Sequence, residues 1–216
     1  MALILNEIEV RVLGSLVEKQ LTTPEYYPMT LNALVAACNQ KSNRDPVVSY
    51  DESTVTAALD SLRDKNLVYT FHGSTSRVVK YKHMLPNVYE LDPAETAVMD
   101  VLMLRGPQTV GEIRGRTDRL FDFSGLPEVQ ETLDRLARRE EPLVMRLERQ
   151  VGQKDARYAH LLSGEIDIAS LPVPRERATG SGQDGRIEQL ESELESIKTE
   201  IAQLKEELAR FRQQFE

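Results

Sequence analysis

In 216 residues the chain has one cysteine, three histidines, no tryptophan and only 6 % aromatic side chains. A lone thiol at Cys38 excludes an internal disulfide and suits a reducing compartment. With no C-x-x-C, no H-E-x-x-H and His72, His83 and His160 scattered, there is nothing on which to build a metal site, and no cofactor is expected. Cys38 falls on the apolar stripe of a helical pattern and reads as a small buried hydrophobe rather than a nucleophile. No apolar run reaches the roughly 18 residues that span a bilayer, and MALILNEIEV lacks the basic flank of a signal peptide, so the cytoplasm is the expected location. Positive charge is also scarce: 27 Lys and Arg stand against 35 Asp and Glu, net −8. Such a chain does not coat nucleic acid indiscriminately, because nonspecific affinity comes from neutralising phosphates. A local basic face is still compatible with it.

The acidity is concentrated at the end. Residues 165–216 hold 7 basic against 12 acidic side chains, residues 1–164 hold 20 against 23. Within the tail, SLPVPRERATGSGQDG has no apolar periodicity and reads as part of a flexible linker over 165–185. Its Gly180, Gly182 and Gly185 spell G-x-G-x-x-G. A nucleotide-binding turn needs a strand before those glycines and an α/β unit after them, whereas a proline-broken segment precedes these and one helical pattern follows. From 186 to 216 the apolar residues Ile187, Leu190, Leu194, Ile197, Ile201, Leu204, Leu208, Phe211 and Phe215 alternate spacings of three and four. That seam predicts a coiled-coil oligomerisation helix. With Ile187 at position a, Glu193, Glu200 and Glu207 at g face Lys198, Lys205 and Arg212 at e of a parallel partner. Opposite charges meet, so a parallel homodimer is expected, with a trimer left open by the mixed Ile and Leu seam; the rival reading is one amphipathic helix folded back on its own domain.

The first 164 residues repeat themselves. LNEIEVRVLGSL from Leu5 aligns with LDPAETAVMDVL from Leu91, VTAALDSL from Val55 with VQETLDRL from Val129, and KYKH with RYAH. Both first segments open on helix caps, Asn6 with Glu9 and Asp92 with Pro93 and Glu95, and Thr109 with Glu112 caps a middle helix. Glu7 and Glu9 are thereby accounted for, which leaves no obvious carboxylate pair for acid–base catalysis, and no catalytic residues are assigned. The first unit predicts helices over Asn6–Glu18, Thr30–Cys38 and Ser53–Lys65, then strands LVYTFHG and RVVKYKH across GSTS. His83 and His160 fall at equivalent strand positions. Three helices and a hairpin, twice over, give an α+β chain, mainly α with small β-hairpins: a winged-helix domain over 1–88 and a second over 89–164, followed by the linker and the coil.

The strings LVEKQLTTPEYYPMTLNALVAACNQKSNRDPVV, LMLRGPQTVGEIRGRT and RYAHLLSG resemble the YceH-like family of bacterial proteins, over roughly residues 5 to 164. The resemblance implies two winged-helix domains in tandem and a bacterial cytoplasm. It carries over no functional residue, so function rests on the side chains themselves.

A winged helix usually sets its third helix in the major groove and its hairpin against the backbone, which makes a non-enzymatic, regulator-like DNA-binding protein the leading expectation. The third helices are poor reading heads: Asp60 and Asp64 flank Arg63 in the first unit, and Glu131 and Asp134 sit among Arg135, Arg138 and Arg139 in the second. The better donors lie elsewhere. Lys41, Asn43 and Arg44 are in the loop after the second helix, and Arg77, Lys80 and Lys82 are on the first hairpin. Arg114, Arg116 and Arg119 surround the second middle helix, with Arg146, Arg149, Lys154 and Arg157 on the second hairpin. These residue types grip phosphates and sugars of duplex DNA. For the loop ACNQKSNRDPVV the rival reading is a polar insertion whose Asn side chains brace a turn. Tyr26 and Tyr27 either stack on a base or pin their loop against the first helix. The rival function is a protein-interaction scaffold on the same tandem fold, chromosome-partner-like, without DNA contact.

Overall fold

The computed structural model describes residues 3–72, 78–149 and 155–164, all within one compact unit. The linker, the coiled-coil seam and both hairpin tips, with Arg77 and Lys154, lie outside the described residues. In chain order come α1 (Glu7–Thr22), β1 (Met29–Thr30), α2 (Leu31–Cys38), α3 (Glu52–Asp64), β2 (Val68–His72), β3 (Val79–His83) and α4 (Leu85–Tyr89). The pattern then recurs as α5 (Pro93–Arg105), β4 (Gln108–Thr109), α6 (Val110–Arg116), α7 (Leu126–Ala137), β5 (Val144–Arg146) and β6 (Arg157–His160). A 3₁₀ turn covers Pro24–Tyr26.

The helix starts follow the capping chemistry read from sequence. Asn6 Oδ1 accepts from Glu9 N at 2.9 Å while Glu9 Oε2 accepts from Asn6 N at 2.7 Å. The same reciprocal pair forms between Asp92 and Glu95 and between Thr109 and Glu112. Each box satisfies two backbone donors that a helix end otherwise leaves orphaned. Two features were not legible in the pattern. The two-residue strands β1 and β4 are too short for a period-2 signal, yet each pairs antiparallel with the last strand of its repeat, giving sheets ordered β1-β3-β2 and β4-β6-β5. The short α4 joins the repeats after β3.

α1 and α5, the equivalent first helices, pack against each other, and this buries them almost all round: Glu9–Glu18 on one, Ala94–Leu104 on the other. A helix enclosed by neighbours loses its polar face, so both are apolar beyond a single stripe. Leu13, Leu16, Met99 and Leu102 are fully enclosed, each stabilising the fold by about 1.5–3 kcal/mol relative to exposure. Gly14 permits the close approach; a Cβ there would lie 2.9 Å from Leu104 Cδ2. One hydrophobic cluster therefore runs through both repeats. Among the described residues no helix is long and apolar enough to cross a membrane.

Candidate nucleic-acid interface

The loop Ala37–Val48 is held from within. Arg44, expected from sequence to contact phosphate, is instead 6 % exposed and turned inward, away from any duplex. Its Nη1 and Nη2 donate to Glu18 Oε1 at 2.9 Å and Oε2 at 2.7 Å, and its Nε and Nη2 donate to Ala37 O at 3.2 and 3.0 Å. The physical reason is Glu18, a nearly buried carboxylate on α1 that needs a paired, hydrogen-bonded counter-charge. Burial pushes the Glu18 carboxyl up, but the Arg44 hydrogen bonds and charge outweigh it and leave the pKa below its usual value. Arg11 of α1 donates to Cys38 O at 3.2 Å and Pro46 O at 2.6 Å. Asn39 exchanges two 2.7 Å hydrogen bonds with the backbone of Tyr50, closing the loop's neck. Asp45 N then reaches Leu104 O at 3.0 Å, and Arg105 bonds the Asn43 side chain, tying the loop to the C-terminal end of α5. The polar residues of this loop brace the two repeats. Of its three expected contacts, Lys41 is exposed and forms no ion pair among the described residues.

Near this brace Asp100 of α5 is 1 % exposed, and its Oδ1 has no hydrogen-bond partner among the described residues. Burial, reinforced by the nearby Glu18 charge, raises its pKa well above the usual carboxylate range. Nothing in the sequence pattern marked Asp100 or Arg11 as interior.

The first sheet presents its other face to solvent. Strand alternation puts Val68 and His83 inward, while Tyr69 and Phe71 point out at 51 % and 48 % exposure. The register sets Tyr69 opposite Lys82 and Phe71 opposite Lys80. Lys82 is exposed, Lys80 half-buried, and neither forms an ion pair among the described residues. Sequence reading singled out the two lysines but missed the two rings. Their period-2 placement in LVYTFHG was the available signal, and it becomes meaningful only once the register is known. Tyr27 is pinned: its hydroxyl accepts from His83 N at 2.7 Å, and the rings meet edge to face at 5.9 Å. Tyr26, at 76 % exposure, is not packed.

Cations of the second unit are mostly engaged. Arg157 Nη1 donates to Glu112 Oε2 at 2.8 Å and to Pro107 O at 2.8 Å; Arg116 lies 3.8 Å from Glu112. Arg114 pairs with Asp118 and comes within 4.0 Å of Asp122. Arg119, Arg146 and Arg149 are exposed without an ion pair among the described residues. The outward face of α7 mixes signs, with Glu131 and Asp134 beside Arg135 and Arg138, and Arg135 is itself held by Asp92 at 2.9 Å. On α3 the outward Asp60 binds Arg63 at 3.1 Å.

His83 and His160 end β3 and β6 as expected. Burial pushes both pKa values down to about 4, assisted at His83 by the Lys82 charge. His160 is only half-buried as a residue, but its Nδ1 is enclosed and without a hydrogen-bond partner among the described residues. Cys38 is fully buried, and burial raises its thiol pKa, which makes it a poor nucleophile. Among the described residues no three metal-ligating side chains gather.

The sequence family described as "Protein of unknown function, DUF480" matches residues 5–153. A UPF0502 protein of Opitutus terrae is 56 % identical over 187 residues, 84 % of this chain and 81 % of its own length. A UPF0502 protein of Citrifermentans bemidjiense is 56 % identical over 191 residues, 88 % of each chain. Another, from Geotalea daltonii, is 56 % identical over 215 residues, 98 % of each.

Proposed function

The chain belongs to the DUF480 / UPF0502 family of bacterial proteins, and we propose that it is a non-enzymatic, regulator-like protein that binds DNA through tandem winged helices. The order helix, strand, helix, helix, hairpin, with the short strand paired to the hairpin's last strand, supports the winged-helix reading of each repeat. The observation that carries DNA binding is the outward pair Lys80 and Lys82 on the first hairpin, which form no ion pair among the described residues and lie in the same repeat as α3. Lys41, Arg119, Arg146 and Arg149 add exposed cations, and Arg77 and Lys154 lie outside the described residues. Arg114, Arg116 and Arg157 contribute less, because they are already committed to carboxylates. The seam at Ile187, Leu190, Leu194, Ile197, Ile201, Leu204, Leu208 and Phe211 joins two chains, so weak grips act together.

The test is fluorescence anisotropy of a short labelled duplex with the full chain. About four phosphate contacts predict a loss of roughly a hundredfold in affinity between about 50 and 200 mM salt, linear in log salt. A flat dependence, or no binding at low salt, sinks the reading.

A second reading, a docking scaffold for another protein, is favoured by the second unit. Its Arg114, Arg116 and Arg157 are paired with carboxylates, and α7 presents both charge signs along a groove lined by Gln130, Glu131, Asp134 and Arg138. A mixed-charge helix face suits a protein surface better than a polyanion.

A further inference from the structure

We propose that the outward face of the β1-β3-β2 sheet, where Tyr69 and Phe71 stand opposite Lys82 and Lys80, is a docking surface for single-stranded DNA. Bases stack on the two rings and phosphates sit on the two ammonium groups. The inference rests on the DNA-binding reading and narrows it, since the target becomes a duplex carrying an unpaired segment.

Three observations support the assignment. First, the fold does not require these rings to be outside. β2 is an edge strand of the sheet, where exposed aromatics invite pairing with other chains and charged residues are the usual safeguard. Second, the second repeat supplies an internal comparison. With His160 matched to His83 and Val144 to Val68, the positions of Tyr69, Phe71, Lys80 and Lys82 are taken by Met145, Leu147, Arg157 and Ala159. There Leu147 is 6 % exposed, Ala159 is 3 % exposed and Arg157 is bound to Glu112. Met145 there is half-buried, so the face is largely covered in one repeat and opens at both rings in the other, and that opening belongs to the first unit's surface chemistry and not to the architecture.

Third, the composition of the face matches one ligand class. Successive outward residues on a strand lie about 7 Å apart, so the sheet offers one ring and one ammonium per step. A single strand offers one base and one phosphate per nucleotide, in the same one-to-one ratio. Rings bind any base through its π-face, and lysines bind the backbone without reading sequence. In an intact duplex the base faces are already stacked on each other and give Tyr69 and Phe71 nothing to meet.

The experiment compares three labelled DNAs with the full chain: a blunt duplex, the same duplex with a thymidine tail, and the same duplex with an abasic tail. The thymidine tail is expected to tighten binding about tenfold or more, and the abasic tail, which keeps the phosphates but not the bases, to lose most of that gain. Tyr69→Ala and Phe71→Ala should each remove most of the tail-dependent gain while leaving blunt-duplex affinity unchanged. Tyr69→Phe, which keeps the ring, should retain the gain. Lys80→Gln with Lys82→Gln should lower the salt dependence of tail binding. If blunt duplex binds but the tail adds nothing, this inference fails and the broader DNA reading stands. If no DNA binds, both fail together. A ribonucleotide tail that binds more tightly than the thymidine tail overturns the choice of DNA. Loss of self-association in the Tyr69→Ala, Phe71→Ala double variant, read by sedimentation, would make the face an interface between copies and overturn the proposal.

Discussion

Arg44 illustrates how little a residue type alone says about its task. Its guanidinium was a phosphate ligand by composition and is an interior counter-ion by placement, paired in both oxygens with Glu18. Removing one partner of such a pair strands the other charge, so Arg44→Met is expected to destabilise the fold by about 3–5 kcal/mol. The double variant Glu18→Met, Arg44→Met should recover most of that loss, and urea unfolding of the three proteins checks it. The two strand-end histidines carry a pH signature. Both are held neutral with pKa values near 4, whereas an unfolded imidazole titrates near 6.5, so in between the unfolded chain binds more protons than the folded one. Stability is therefore full above about pH 6.5 and falls as pH drops towards 4, by roughly 3 kcal/mol per histidine. A series of urea midpoints across that window should show the decline, and His160→Gln should make it shallower by about half.

At the scale of elements, caps and strand strings were readable because they are local. Asn6 with Glu9, Asp92 with Glu95 and Thr109 with Glu112 each need only four residues, and the structure forms all three boxes. Burial of α1 and α5 on nearly all sides was not readable, since it depends on each helix meeting the other. Gly14 marks that meeting. Gly14→Ala pushes a Cβ against Leu104 and is expected to cost about 1–3 kcal/mol through overpacking. Gly115→Ala on α6 meets nothing within 4 Å and should gain about 0.5–1 kcal/mol from reduced backbone entropy. Thermal melts of the two variants should move in opposite directions. The loop Ala37–Val48 belongs to the same lesson. Its Asn and Arg content announced hydrogen bonds, but whether these would face DNA or the neighbouring helix was decided by Glu18, Tyr50 and Leu104, residues distant in sequence.

For the molecule as a whole, the proposed coil makes two tandem units act as one binder by raising the effective concentration of the second grip. Deleting residues 186–216 should yield a monomer by sedimentation equilibrium and weaken duplex binding by at least tenfold; a truncated chain with unchanged affinity would refute a role for the seam. The sequence by itself determined the repeat, the caps, the helix and strand strings and the heptad spacing, because each is a pattern carried by neighbouring residues. Tertiary structure decided which cations face water. Arg44, Arg114 and Arg157 found carboxylates, whereas Lys80 and Lys82 were left outward beside two open rings. The physical reason is that charge pairing and exposure depend on distances across the fold, and those are set by how α1, α5 and the two sheets pack, not by the order of residues along the chain.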